Sequence, residues 1–253
     1  MQSDSFFIPD WPAPANIRTT VTTRIGGISE PPYDRFNLAG HVGDEDYAVH
    51  HNRKLLADDI GGSTQFQWVR QVHGTDVLVL DNGLVDESRE ADAIYTQETD
   101  IVCGVLTADC LSVFFCDDEG QEIAVAHAGW RGLAGGVLQN TLKQFDADPA
   151  RILAWIGPGI GPCHFEVGDD VRDAFLDMDI AEIDNEDGIL FLEGDEPVKW
   201  MADLFGLAKI ILASQGVKQI YGEPICTWCE FDRFYSYRRD GETGRFASII
   251  WKE

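Results

Sequence analysis

The chain has 253 residues, 44% of them hydrophobic, and carries 44 acidic against 19 basic side chains, a formal charge of −25. That length suffices to bury a large core, and that charge argues against a binder of nucleic acid or anionic membrane, since both need Lys and Arg to neutralise phosphate. No apolar run reaches the roughly 18 residues that span a bilayer, and the start, MQSDSFFIPDW, lacks a basic segment followed by an apolar one, so a soluble cytoplasmic protein is expected. The six cysteines, at 103, 110, 116, 163, 226 and 229, then read as reduced thiols, some free for metal or catalytic work, rather than as a disulfide framework.

In chain order, the Thr- and Val-rich stretch from Ile17 to Arg24 predicts a strand ended by Gly26 and Gly27. From Ser29 to Asp46, Pro, Gly and Asp predict a long loop, a length that compact domains keep for a site. A helix is expected from Asp46 to Ile60, capped by Asp44 or Asp46 and stopped by Gly61 and Gly62. Phe66 to Val72 and Val77 to Leu80 read as a hairpin around His73-Gly74-Thr75-Asp76, and Ala91 to Thr96 as a short strand or turn.

Val102 to Val137 reads as two apolar strands joined by an acidic turn, with Cys110 in the first strand and His127 near the end of the second, before a Gly-rich loop. A helix follows over Gly135 to Phe145, a buried strand over Ile152 to Ile156, a helix over Val167 to Met178 and a strand over Ile189 to Leu192. The clearest helical spacing runs from Val198 to Ser214, through Leu204, Leu207, Ala208, Ile211 and Leu212, to a cap at Gly216. An aromatic segment, a DGETG turn and a strand from Ala247 to Trp251 close the chain. With no repeat, low-complexity tract or linker, a single domain over 1–253 is expected, of α/β class with mixed sheets and helices.

His73, Cys110 and His127 stand out as a polar set in apolar surroundings. Two imidazoles and a thiolate with a fourth position open make a catalytic zinc site, but intervals of 37 and 17 residues do not establish one. A lone turn histidine or strand cysteine is usually structural.

The strings VTTRIGGIS, FNLAGHVGD, WVRQVHGTDV, ADAIYT, TADCLSVFF, VAHAGWRGLAGGV, IGPGIGPCHFEVG and YSYRRDGETGRFASIIW, in that order from about Val21 to Trp251, resemble the YfiH family. That family is variously labelled laccase-domain, polyphenol oxidase and purine nucleoside phosphorylase. The resemblance implies a mixed-sheet α/β fold akin to the cytotoxic necrotizing factor catalytic domain, and a metal held by His73, Cys110 and His127. It also implies zinc-dependent phosphorolysis of adenosine, inosine, guanosine or methylthioadenosine, with hydrolytic deamination of adenosine. The expected partners are purine nucleosides and phosphate, in a monomer or a homodimer. Phosphorolysis needs a cationic cradle, and Arg binds phosphate in a forked geometry. Arg24, Arg131 and Arg238 lie in matched motifs and are the phosphate candidates, each with a structural ion pair as its competing role. Asn37 and His41 either line the pocket or satisfy turn backbone, and Trp130 either stacks a purine or packs.

Three other readings compete. Cys110 as nucleophile with His127 as base would make an amide hydrolase, which some family members are described as being, on peptidoglycan precursors. A copper oxidase would use two histidines and a cysteine with an axial Met, but six histidines in all are few for the imidazole-rich cluster of a multicopper enzyme. Finally, His164-Phe165-Glu166 and PICTWC approximate the HxE and PCxxC of zinc deaminases, with one residue inserted between Pro224 and Cys226. This reads as a chance match, and Cys226 with Cys229, a CxxC without a second pair, is not expected to hold a metal.

Overall fold

The computed structural model describes residues 3–61, 65–178, 180, 190–194 and 198–253. Gly62, expected to help stop a helix, and Ile189, expected to open a strand, lie outside the described residues.

Two large sheets stack face to face. One runs, edge to edge, β1 (Phe6–Phe7), β2 (Ile17–Thr22), β14 (Phe246–Lys252), β6 (Ile101–Thr107) and β3 (Gln65–Gln67). The other runs β13 (Gln219–Tyr221), β9 (Ile152–Ile156), β7 (Leu111–Asp117), β8 (Ile123–Ala128), β5 (Ala93–Thr96) and β4 (Val77–Leu80). Each mixes parallel and antiparallel pairs: β3 runs parallel to β6 and β4 to β5, while β14 is antiparallel to β6 and β7 to both β8 and β9. A small third sheet joins β10 (Glu166–Gly168), β12 (Lys199–Ala202) and β11 (Phe191–Glu193).

Between the large sheets, Val21, Val105, Phe246 and Ile250 meet Phe114, Cys116, Val125 and Trp155, and Ser112 and Ser248 exchange a hydrogen bond of 2.6 Å. Helices cover the two outer faces. Leu56 of α1 (Asp46–Asp59) joins Val102, Leu106, Ile249 and Trp251. On the far side, Val113, Phe115, Ala124 and Ala126 pack with Leu133 of α2 (Trp130–Gly135), Leu138 of α3 (Val137–Leu142), Phe175 of α4 (Asp169–Leu176) and Leu207 and Ile211 of α5 (Leu204–Ser214). In this four-layered arrangement the central strands are buried on both faces, which is why their sequence is a continuous apolar run with no alternation. No helix among the described residues is long and apolar enough to cross a membrane.

Several boundaries differ from expectation. The stretch read as two strands is three, β6, β7 and β8, and Cys110 sits in the bend between the first two. Asp109, at φ +88°, makes that bend, and it carries the chain from one large sheet into the other. The expected hairpin around His73 does not exist: β3 and β4 belong to different sheets, so His73 lies on a crossing segment. Helix α1 has Glu45 at its N-cap without a side-chain bond. Asp44 instead accepts hydrogen bonds from Ser29 and Asn37. The Gly-rich segment is itself helical as α2, and the left-handed Gly136 (φ +100°) separates it from α3. Val167 pairs in β10 before α4 begins. Finally, α5 starts at Leu204 because Asp203 caps it, accepting from Gly206 N at 3.0 Å, while residues 199–202 pair as β12.

Candidate metal centre

The two crossing segments and the end of β8 bring His73, Cys110 and His127 together, with all ligating atoms within 4.8 Å of one another. Cys110 Sγ lies 3.9 Å from His73 Nε2, and the two imidazoles meet edge to face, centroids 4.8 Å apart. Gly129 closes the cradle, since a Cβ there would stand 2.7 Å from Cys110 Sγ and 3.2 Å from His73 Cδ2.

A fourth residue builds this arrangement. The fully buried Asp92 accepts from Nδ1 of His127 at 2.8 Å, and from the backbone N–H groups of Val72, His73 and Gly74 at 3.2, 2.9 and 2.6 Å. His73 itself has φ +57°, an uncommon conformation for a side-chain-bearing residue. The carboxylate holds it by gathering three successive amides. Because an ionised carboxylate only accepts, Nδ1 is the nitrogen of His127 that keeps its proton, and Nε2 is the one that would give up a proton to a cation. A carboxylate behind a ligating histidine is the usual support of a metal site. Burial pushes the Asp92 carboxyl up, but the hydrogen bond and charge of His127 and the amides of Gly74 and Val72 outweigh it and hold it below the usual range.

The electrostatics favour a thiolate. Burial pushes the Cys110 thiol up, yet the charge and hydrogen bond of His127, then those of His73, bring it down to about 6. Burial pushes His127 down, while the Cys110 charge and the Asp92 hydrogen bond carry it up to about 9. Cys103 and Cys116, buried in strands without such partners, are both pushed up, Cys103 to about 12. Two imidazoles and a thiolate, oriented by a buried carboxylate, fit a zinc-type cation.

The centre forms part of the lining of a cleft of about 510 Å³. Trp130, Phe165 and Tyr237 contribute aromatic surface, and Arg131, Arg238 and Arg245 contribute cationic groups. Arg131 is exposed, its guanidinium 4.3 Å from the Trp130 ring centroid. Arg238 donates to the carbonyl of Glu166 at 2.8 Å, and its backbone N–H donates to Asp109 Oδ2 at 2.6 Å. Arg245 donates to the carbonyls of Thr243 and Gly244. His41 lines the cleft too, its imidazole pKa lowered by burial and by Arg245 and Arg53. The Thr107 hydroxyl, also on this wall, is buried without a protein partner.

Two sequence candidates do not line this cleft. The Arg24 guanidinium bonds to the carbonyls of Asp34 and Phe231 and pairs with the Asp34 carboxylate, lying over Tyr235. Asn37 is wholly buried; its carbonyl oxygen accepts from Ala39 N and Arg245 N, and its amide donates to Asp44 and to the Ala39 carbonyl. It acts on the cleft only by fixing the backbone of Arg245. Asp92 and Arg245 escaped notice in the sequence. Asp92 has no signal but its place in ADAIYT, and Arg245 none but its place in GETGRF.

Fold and donor set together define a mixed α/β protein whose centre of two histidines and one cysteine lies in a cationic, aromatic cleft. A family model described as "Multi-copper polyphenol oxidoreductase laccase" matches residues 18–253. The chain is 47% identical over 244 residues to the purine nucleoside phosphorylase YfiH of Escherichia coli, covering 96% of this chain and 97% of that one. It is 43% identical over 248 residues to the purine nucleoside phosphorylase PA4543 of Pseudomonas aeruginosa, covering 98% of each. Among solved structures, Neisseria meningitidis NMB0706 superposes with a TM-score of 0.88 at 45% identity, over 98% of this chain and 99% of that one. YlmD of Geobacillus stearothermophilus gives 0.89 at 31%, over 100% and 98%. The chain belongs to the YfiH family of laccase-like proteins.

Proposed function

We propose that the chain is a zinc-dependent purine nucleoside phosphorylase that also deaminates adenosine, acting on adenosine, inosine, guanosine or methylthioadenosine in the cleft beside Cys110. The observation that carries the reading is the convergence of His73, Cys110 and His127 in a cleft that also holds Arg131, Arg238 and Arg245. In a molecule of net charge −25, three arginines beside one donor set are suited to an anionic reactant, and the names of the relatives point to phosphate and a nucleoside.

His73, Cys110 and His127 would hold the zinc. Bound there, it would supply Lewis acidity to the reaction. Arg131 and Arg238 orient phosphate through forked N–H groups, and Trp130, Phe165 and Tyr237 offer faces and edges to a purine. Asp92 keeps the His127 proton on Nδ1 throughout. Zinc is preferred to copper because, among the described residues, no methionine lines the cleft to complete the axial position of a two-histidine, one-cysteine copper site. Purified zinc-loaded protein is expected to release free base from inosine only with phosphate present, and to convert adenosine to inosine without it. Neither product from any of the four nucleosides would overturn the reading.

The low-pKa thiol beside His127 favours one second reading, a Cys-His amide hydrolase acting on peptidoglycan precursors. It predicts release of an amino acid that survives chelation and disappears in Cys110→Ala.

A further inference from the structure

Away from the cleft centre, the loop after β9 and the segment after β13 bring a second donor set together. Cys163 Sγ lies 3.6 Å from Cys226 Sγ and 3.6 Å from Cys229 Sγ. His164 Nδ1 lies 3.1 Å from Cys163 Sγ and 3.4 Å from Cys229 Sγ. All four ligating atoms fall within 4.8 Å of one another. A disulfide would need sulfurs at about 2.05 Å, so none of these pairs is one. A tetrahedral zinc with Zn–S of about 2.3 Å and Zn–N of about 2.0 Å separates its donors by about 3.8 Å for two sulfurs and about 3.5 Å for sulfur and nitrogen. The observed edges are close to those values.

The surroundings suit thiolate ligation. Gly161 donates its backbone N–H to Cys226 Sγ at 3.2 Å, and the His164 ring stacks on Trp228 with centroids 3.6 Å apart, which fixes its orientation. We infer that Cys163, His164, Cys226 and Cys229 form a second metal site, a closed zinc centre of three thiolates and one imidazole with a structural role. Calcium and magnesium are disfavoured because no donor is an oxygen. The HxE and PCxxC pattern of the zinc deaminases shares His164, Cys226 and Cys229, but those sites leave a position for water. Here Cys163 fills it, so the centre holds chain together and does no chemistry.

What it holds is a wall of the cleft. Beside the donors, Gly159 pairs with Cys226 and Thr227 N donates to the Gly159 carbonyl at 2.9 Å. Thr227 Oγ1 donates to Asp109 Oδ1 at 2.7 Å, and Ile160 N to the Asp109 carbonyl at 2.8 Å. Asp109 precedes Cys110, so the second centre staples two loops against the bend that carries a ligand of the first.

Elemental analysis of intact protein and of single variants tests this apart from the proposed function. About two zinc ions per chain are expected in the unmodified protein, and about one in both Cys110→Ala and Cys229→Ser. Should Cys229→Ser fail to fold, the Cys110→Ala protein carries the test. Its remaining zinc is expected to leave when an organomercurial titrates the thiols, and cobalt in its place is expected to give sulfur-to-cobalt charge-transfer and intense tetrahedral d–d bands. Zinc-free Cys110→Ala, iron in place of zinc, or a disulfide within the set in freshly purified protein would overturn the second site. A zinc lost in Cys229→Ser but unaffected by Cys110→Ala would instead remove the metal from the cleft and leave this inference standing.

Discussion

The two donor sets of this molecule differ in burial, number and backing. His73, Cys110 and His127 are three donors in a cleft, one of them buried, all placed by strand ends and sheet-crossing segments and braced by the carboxylate of Asp92. Cys163, His164, Cys226 and Cys229 are four donors on surface loops, with two of the cysteines exposed and the His164 ring oriented by stacking on Trp228. Three donors on a rigid, low-dielectric frame leave room for a reactant, while four on loops satisfy a cation completely and make it part of the fold. If both proposed centres hold zinc, the same residue types give a reactive centre or a staple according to their number and to what stands behind them.

The contrast can be broken most sharply at Cys110. Cys110→Ala is expected to remove the cleft zinc and lower phosphorolysis by about 10³-fold or more, whereas Cys229→Ser is expected to lower the thermal midpoint and leave the cleft zinc in place. Equal losses of activity with unchanged melting in both would erase the distinction. Asp92→Asn is next. Its amide oxygen can still accept from one or two backbone N–H groups but no longer provides a charged acceptor for His127, so zinc affinity measured by chelator competition is expected to fall by about 10- to 100-fold. An unaltered affinity would show that Asp92 does not support the ligand.

Arg131→Gln and Arg238→Gln are expected to raise the KM for phosphate by about 10-fold each, the loss of a charge-assisted hydrogen bond, with kcat changing less. Arg24→Gln is expected to leave that KM unchanged and to reduce stability, because its guanidinium is engaged with Asp34 and Phe231. The smallest effect is on thiol reactivity. In metal-stripped protein, iodoacetamide labelling of Cys110 is expected to rise with pH as thiolate forms and to level off above its pKa of about 6. Its plateau rate should exceed that of an ordinary thiol at neutral pH by only about twofold, since lower basicity offsets the larger thiolate fraction. Cys103, pushed up to about 12, should stay unlabelled until the protein unfolds. A Cys110 midpoint above pH 8 would contradict the ion pairing of this thiol with His127.

Much of the fold could be read from pattern. The uninterrupted apolar runs of β6, β7 and β8 and the helical spacing of α5 pointed to mixed sheets with helices, because burial on both faces writes itself into composition. Turn chemistry misled where connection length was taken for local pairing. QVHGTDV has the residues of a hairpin corner, yet its flanking strands pair with β6 and β5 in different sheets, and nothing within seven residues encodes which distant strand will accept them. The long loop from Ser29 does serve the cleft, through His41 and through Asn37 beneath Arg245, but which of its residues face the cleft depends on packing against α1.

The sequence alone determined the class of fold and the family, through motifs in fixed order, and singled out His73, Cys110 and His127 as candidate donors, because each of these is carried by residue type and by short strings. Tertiary structure alone decided what those donors can do. Asp92 becomes the brace of His127 and His73 only once β5 pairs with β8. Cys163 and His164 meet a CxxC more than 60 residues away only once Gly159 bridges Cys226. Coordination depends on distances of a few ångströms, and sequence separation carries no information about those until the sheets have stacked.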